Sequence, residues 1–297
     1  MLARVAPFCF VLLWSSSFVA AKTGLRDLSP LLFVAVRLSA CGFVLLAMML
    51  ASGRSWRPLG RRRWAHCVVA GVLINAGGLL APHVGLLLVP AAHIALVQSL
   101  TPLLTAALGV LLLHEQLRRA QWLGLVLGMA GVGLVVGLAA FTSATQLEGL
   151  ILAFVGVVCL VAGTLYFGRF CRGIPLLAGG TVQFLSAGAV SALCAATLET
   201  TRSNWTDAAI AATAWNTLAV SLGGMALYYY MLARGSVAVT TANFYLVPGT
   251  TAVLVWMFLG ERLSVLAILG LIVASLGCWL VNGAPTRFGR RPALSAR

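Results

Sequence analysis

The sequence predicts an all-α membrane protein of ten transmembrane helices, arranged as two inverted five-helix repeats. Three observations predict it. Of the 297 residues, 61% are hydrophobic and only 9% charged, with a mean hydropathy of +1.02, whereas about a quarter of a water-soluble domain is charged. Uncharged runs of about 20 residues, the length of a membrane-spanning helix, follow one another with short loops bearing Arg, Gly or Pro between them. The second half also restates the first, since TPLLTAALGVLLLHEQL at 101–117 is answered by VPGTTAVLVWMFLGERL at 247–263. A β-barrel would alternate polar and apolar residues in strands of about ten, and these runs do not. No loop is long enough to hold a separate soluble domain.

In chain order, the first expected helix, 5–22, follows Arg4 and carries Trp14. Its apolar run and the small residues at 19–21 also fit a cleaved secretory signal, but the repeat needs this helix to complete its first unit. The second, 31–50, holds Arg37 about 9 Å below its outer end, at 1.5 Å per residue. The third, 64–84, follows Arg61, Arg62 and Arg63 and bears Asn75 two residues before Gly77 and Gly78. The fourth, 91–113, contains Gln98, Thr101 and Pro102, and the fifth, 120–140, contains GLVLG (124–128) and GVGLVVG (131–137). Such small-residue faces read as packing seams, with a homodimer contact as the lesser alternative. The sixth, 148–168, carries Tyr166; the seventh, 175–197, Gln183; the eighth, 209–231, Ser221 ahead of Gly223 and Gly224. The ninth, 237–259, holds Asn243, Tyr245 and Pro248, and the tenth, 263–282, echoes the fifth with Gly270, Ala274 and Gly277. The first repeat therefore takes residues 1–141, the second 147–284, and a basic tail 285–297.

The spacing between the halves is constant. Pro102 matches Pro248, Thr105 matches Thr251, Glu115 matches Glu261 and Leu117 matches Leu263, and the same step of 146 carries Gly77, Gly78, Gly124, Gly131 and Gly137 onto Gly223, Gly224, Gly270, Gly277 and Gly283. Five helices per unit is an odd number, so the second unit enters the membrane from the opposite side. Inverted repeats related by an axis in the membrane plane are a transporter architecture, because similar bundles of opposite orientation can expose one site to either side.

Charge distribution points the same way. A net charge of +14 and the RFGRR stretch near the C-terminus would suggest nucleic acid in a soluble protein. Here the basic residues follow the membrane topology instead. With the N-terminus inside, fifteen basic residues fall in inner segments and four (Lys22, Arg26, Arg202, Arg262) in outer ones, while five of the six acids lie outside. This positive-inside bias places both termini in the cytoplasm. The seven cysteines lie singly, six in apolar helices and Cys171 in a short inner loop, and indicate neither a metal site nor a disulfide framework.

WSSSFVAAKTG at 14–24, SPLLFVAVR at 29–37 and the two blocks of Pro, apolar stretch, HEQL or GERL, and WLG or ILG resemble the tandem domains of the EamA family in the drug/metabolite transporter superfamily. The resemblance covers essentially the whole chain. It departs from the family pattern at His114, where glycine usually precedes the glutamate. The resemblance implies a ten-helix inner-membrane carrier, mostly for export of amino acids or other small metabolites. It also implies a central cavity enclosed by helices one to four and six to nine, with five and ten peripheral.

The residues themselves suggest how such a carrier works. Arg37 is the one charge deep in any span, where burial costs roughly 2.5–3.5 kcal/mol on insertion scales and usually means a cavity or a partner. No carboxylate lies at similar depth, so Arg37 either attracts a substrate carboxylate or phosphate, caps backbone carbonyls or snorkels to the surface. Its repeat mate is Gln183. Asn75 and Ser221 are mates near midplane, where substrate contact and interhelical hydrogen bonding are equal alternatives. Trp14, Gln98, Thr101, Tyr166, Asn243 and Tyr245 complete the expected substrate-binding set. Pro102 and Pro248 break their helices and free the carbonyls of Gln98 and Phe244, which then need a polar partner or a water-lined cavity; both prolines are candidate hinges. His83 and His93 are expected to flank a loop. Glu115 and Glu261 are expected to cap helices five and ten.

The alternatives are few. HEQLR superficially resembles a zinc-protease helix, but HExxH needs a second His at 118 and the chain has Arg118. A membrane-embedded enzyme generally wants paired acids, and the six acids here sit almost wholly in loops. A channel would show a continuous polar stripe or charged ring. The expected activity is export of a small metabolite, most plausibly an amino acid, by alternating access, with efflux of drugs or cationic compounds as the alternative. No cofactor or metal is implied, and the lipid bilayer is the surrounding partner.

Overall fold

A computed structural model describes residues 2–53, 60–89, 94, 97–98, 100–113, 116–136, 144–199, 203–259 and 265–283. His93, Glu115, Glu261 and the basic tail lie outside the described residues.

Among the described residues the chain runs through ten successive helical segments. They are α1 (Leu2–Gly24), α2 (Pro30–Ala51), α3 (Arg61–Gly71, a π-helical stretch Val72–Gly77, then Gly78–Leu88), α4 (Leu100–Leu113) and α5 (Arg119–Val136). The second half continues with α6 (Ala144–Tyr166 and a π-helical end Phe167–Cys171) and α7 (Leu176–Leu198). It closes with α8 (Asp207–Trp215, π-helical Asn216–Gly224, Met225–Arg234), α9 (Val237–Ala242, a 3-10 turn Asn243–Leu246, Val247–Leu259) and α10 (Val265–Gly283). Seven of them contain stretches long and apolar enough to cross a membrane, and Leu100–Leu112 and Ile268–Val281 are shorter apolar helices. Large apolar side chains also face outward, among them Phe8, Phe43, Leu111, Phe258 and Trp279, which a bilayer accepts and water does not. The chain is a multi-pass membrane protein.

Helices α3, α6 and α8 are longer than their apolar cores. Arg61, Asp207 and Arg234 stand at helix ends, where a polar side chain reaches the interface without breaking the backbone ladder. This extension corrects two expectations. His83 is not a loop residue but is buried in the last turns of α3. Cys171 is not in a loop either: it ends the π-helical stretch of α6, buried, with its thiol beside that of Cys67 and 3.5 Å from the His66 carbonyl.

The step of 146 that aligns the halves in sequence also maps contacts onto contacts. A methyl group built on Gly42 of α2 would lie 2.9 Å from the backbone nitrogen of Leu185 on α7, and one on Gly188 the same distance from the nitrogen of Ser39. Gly42 and Gly188 are mates, as are Ser39 and Leu185, so one contact is the other with the halves exchanged. On α5 and α10, Gly124 approaches the Gly277 carbonyl and Gly131 the Gly270 carbonyl, each within 2.6 Å of where a methyl would sit. Gly77 meets Cys159 on α6, and its mate Gly223 meets Leu13 on α1. In the first two sets, residue number rises along one helix as it falls along its equivalent. Equivalent helices therefore cross antiparallel, and the axis exchanging the halves lies across the helices rather than along them. Both π-helical interruptions, in α3 and α8, also fall at matching positions.

The symmetry fails at one end of the bundle. Glu199, just past α7, caps α2: its carboxylate accepts from Ser29 Oγ at 2.6 Å, Leu31 N at 2.6 Å and Leu32 N at 2.9 Å. Beside it, Asp27 accepts from Thr206 Oγ1 at 2.7 Å and from Asn204 N at 2.9 Å. These bonds tie the α1–α2 connection to the α7–α8 connection. The mates of Glu199 and Thr206 are Gly53 and Gly60, which have no side chain to accept or donate these bonds, so the opposite end cannot carry a copy of this clasp.

Candidate functional site

The interior of the bundle holds a layer of buried polar side chains from α2, α3, α7 and α8 in two groups, one around Arg37 and Ser221 and the other around Asn75 and Tyr229. Arg37, on α2, is 1% exposed, and its Nε donates to Ser221 Oγ at 2.7 Å. Its Nη1 has no hydrogen-bond partner, and Arg37 makes no ion pair with a carboxylate among the described residues. Such an arrangement is expensive, because a buried charge is normally paired. His83 lies close enough to feel the Arg37 charge, and its ring stacks at 5.9 Å on Phe33, one helical turn from Arg37. His83 Nδ1 is 2.8 Å from the Leu79 carbonyl, which can only accept, so Nδ1 carries the proton and Nε2 presents a lone pair. That Nε2 has no partner.

The other half supplies the mates of these residues. Gln183 matches Arg37, Asn75 matches Ser221, and Tyr229 matches His83. Asn75 donates from Nδ2 to the Tyr229 hydroxyl at 2.8 Å, leaving its Oδ1 unpartnered; Gln183 is 2% exposed with Oε1 unpartnered. Asn75 and Ser221 both sit in the π-helical stretches, which frequently mark functional positions because they widen the helix locally.

Not every expected residue joins this layer. Trp14 lies in an aromatic cluster instead, with ring centroids 5.4 Å from Phe10 and 5.2 Å from Phe244. Gln98 and Thr101 on the α4 side are buried with Oε1 and Oγ1 unpartnered. Tyr166 sits near the end of α6, its hydroxyl 2.6 Å from His66 Nδ1, along a lateral groove of about 700 Å³ between α4 and α6. Asn243 turns toward α10, donating to the Thr240 carbonyl at 2.9 Å with Cys278 on its Oδ1. Tyr245 packs against Gly128 of α5, and its hydroxyl finds no partner.

Pro248 is absorbed locally. The turn before it tightens to a 3-10 helix, and the Val247 amide donates to the Phe244 carbonyl, so the expectation that this carbonyl needs a polar partner or a water-lined cavity is corrected. On α4, one turn further along, Thr105 Oγ1 donates to the Thr101 carbonyl at 2.6 Å. Tyr229 was the member of the layer that residue type alone did not single out. The signal was available, since the step of 146 pairs it with His83.

The EamA-like transporter family matches the chain twice, over residues 3–137 and 147–283. The uncharacterized inner membrane transporter YedA of Escherichia coli K12 is 26% identical over 299 residues, covering 98% of this chain and 94% of that protein. A probable terminal-alkyne amino-acid exporter of Streptantibioticus cattleyicolor is 28% identical over 283 residues, covering 92% and 90%. The transporter YvbV of Bacillus subtilis is 24% identical over 274 residues, covering 92% and 88%. A solved crystal structure at 22% identity superposes with a TM-score of 0.78, covering 93% of this chain and 96% of that one, and shares the fold. With the family matched in both halves of a bundle whose halves are interchangeable in space, the chain belongs to the EamA-like transporter family and is a transporter of small metabolites, not an enzyme.

Proposed function

We propose that this protein is an inner-membrane secondary transporter that exports amino acids by alternating access, crossing the membrane ten times with both termini in the cytoplasm. One observation carries the substrate side of this reading: a cation, Arg37, is buried within the bundle with a free donor and no carboxylate paired to it among the described residues. An arginine so placed offers a substrate carboxylate a charge-assisted hydrogen bond, stronger than a neutral one and undiluted by water. The probable terminal-alkyne amino-acid exporter of Streptantibioticus cattleyicolor supports the substrate class, and the inner membrane transporter YedA supports the compartment. The crossing of equivalent helices supports alternating access, because two interchangeable halves have two equivalent ways of leaning on each other. Efflux of cationic compounds is disfavoured by the same residue, whose charge repels them.

The test is accumulation of radiolabelled amino acids in inside-out vesicles from cells that make the protein, against vesicles from cells that lack it. Uptake of at least one amino acid above the control is expected. Equal uptake for all twenty, with the protein folded and abundant in the membrane, would overturn the reading.

A further inference from the structure

The lateral groove between α4 and α6 faces away from the polar layer. Leu104, Leu108 and Leu112 form its α4 wall, and α6 lines it from Phe154 to Phe170. Its volume of about 700 Å³ falls within the range of about 300–1,000 Å³ common to small-molecule sites. Leu112, Phe154 and Val158 are each about half exposed, and both helices belong to apolar stretches, so lipid tails rather than water border the groove. From Phe154 to Tyr166 the α6 wall runs about 18 Å at 1.5 Å per residue, close to the hydrocarbon depth of one leaflet, about 15 Å.

One end of the groove is polar. Arg169 is exposed; its Nη1 donates to the Leu112 carbonyl at 3.2 Å, in the last turn of α4, and its guanidinium lies 5.6 Å from the centre of the Phe170 ring. Phe170 in turn packs on His66 at 4.8 Å and on Tyr166 at 4.7 Å between ring centroids. That one bond uses one of five N–H donors, and Arg169 makes no ion pair among the described residues. The neighbouring Arg172 is directed elsewhere, donating to the Gly235 carbonyl at 2.8 Å. The repeat did not supply this mouth: the step of 146 carries Tyr166, Arg169 and Phe170 back onto Ala20, Thr23 and Gly24, so the equivalent positions on α1 hold neither a cation nor an aromatic ring.

We propose that this groove is a binding site for an anionic phospholipid, with one acyl chain between α4 and α6 and the phosphate on Arg169. A soluble anion would gain nothing from the apolar walls, whereas a lipid fills the walls and reaches the cation at the interface, as anionic headgroups do in basic pockets between membrane helices. A zwitterionic headgroup brings its own cation near the guanidinium, and an anionic one does not. Because α4 belongs to the first repeat and α6 to the second, the lipid packs on both halves at once. Its place in the cytoplasmic leaflet rests on the proposed topology; the binding itself does not.

The experiment is native mass spectrometry of purified, delipidated full-length protein titrated with phosphatidylglycerol or with phosphatidylcholine of identical acyl chains. The wild type should bind its first phosphatidylglycerol about fivefold more tightly, the contribution of one arginine facing an anionic headgroup. Arg169→Gln should abolish that preference while leaving phosphatidylcholine within about twofold. Arg234→Gln, which removes an exposed cation at the end of α8 and outside the groove lining, should keep it. Val158→Trp and Ala162→Phe fill the groove and should weaken both lipids by about fivefold or more, since each methylene kept from burial counts. Thermal unfolding without lipid checks that every variant is folded. A preference that survives Arg169→Gln, or that falls equally in Arg234→Gln, would reduce the effect to general surface charge and overturn the inference. Unchanged lipid affinity in both groove-filling variants would overturn it as well, and so would a protein dimer that those variants split, which would give the groove to a second copy of the chain. None of these readouts involves amino-acid transport, so the inference and the proposed function fail separately.

Discussion

The α5–α10 seam and the central polar layer obey the same two-fold relation, yet they treat it in opposite ways. At the seam the mates are identical: Gly124 with Gly270 and Gly131 with Gly277, each meeting the other's partner. In the layer the mates differ at every functional position, Arg37 with Gln183, Ser221 with Asn75, and His83 with Tyr229. A seam only has to let two backbones touch, and that requirement is the same seen from either side of the membrane. A binding site must hold one asymmetric molecule, and identical halves would offer it two identical poles. On the proposed function, symmetry serves movement, and departure from symmetry serves recognition.

Breaking the seam should have the largest effect on the fold. Gly131→Val forces a branched side chain against Gly270 and Ala274 of α10, where backbone rather than a flexible side chain is in the way. Overpacking of this kind costs about 1–3 kcal/mol, and the backbone contact puts it at the upper end; detergent thermal unfolding should show a marked loss for Gly131→Val and for its mate Gly277→Val alike. If one of the pair is tolerated, the seam is not symmetric. The Glu199 clasp comes next. Removing three accepted hydrogen bonds from the start of α2 by Glu199→Ala should cost about 1–2 kcal/mol and, because the opposite end has glycines at the matching positions, should tilt the carrier toward the conformation open at the clasp end. Cysteine accessibility at that end would report it, and unchanged accessibility would reduce Glu199 to a helix cap. A smaller effect is expected from the prolines. Pro102→Ala and Pro248→Ala should each slow transport severalfold with little change in stability, since the Phe244 carbonyl is already satisfied in a 3-10 turn; wild-type rates in reconstituted vesicles for both would restrict them to packing.

Much of the fold could be read before any coordinates. Apolar runs locate spans because the bilayer punishes polar residues over a fixed thickness, and the proline, glutamate and glycine register exposed the duplication. The helix ends were less legible at α3, α6 and α8, because basic and polar residues at an interface belong equally well to a loop or to a last helical turn. His83 was misplaced for that reason. Within the site, Arg37 and the Asn75 and Ser221 pair stood out through charge or symmetry. Tyr166 and Tyr245 did not end up in the polar layer, since an aromatic residue on a helix of known span can face a groove, a neighbouring glycine or the centre, and only packing decides which. Gly128 supplies the space that draws Tyr245 outward toward α5.

The central claim is that the Arg37 guanidinium is held unpaired for a substrate carboxylate. Binding of the tightest amino acid to wild-type, Arg37→Lys and Arg37→Gln protein tests it most directly, with thermal stability recorded on the same samples. Losing a charge-assisted bond worth about 1.5–3 kcal/mol should weaken binding about 10- to 150-fold in Arg37→Gln and less in Arg37→Lys, while the ligand-free protein stays as stable as the wild type or becomes more so. Undiminished binding by Arg37→Gln, or a loss of binding that merely follows a loss of stability, would contradict the account.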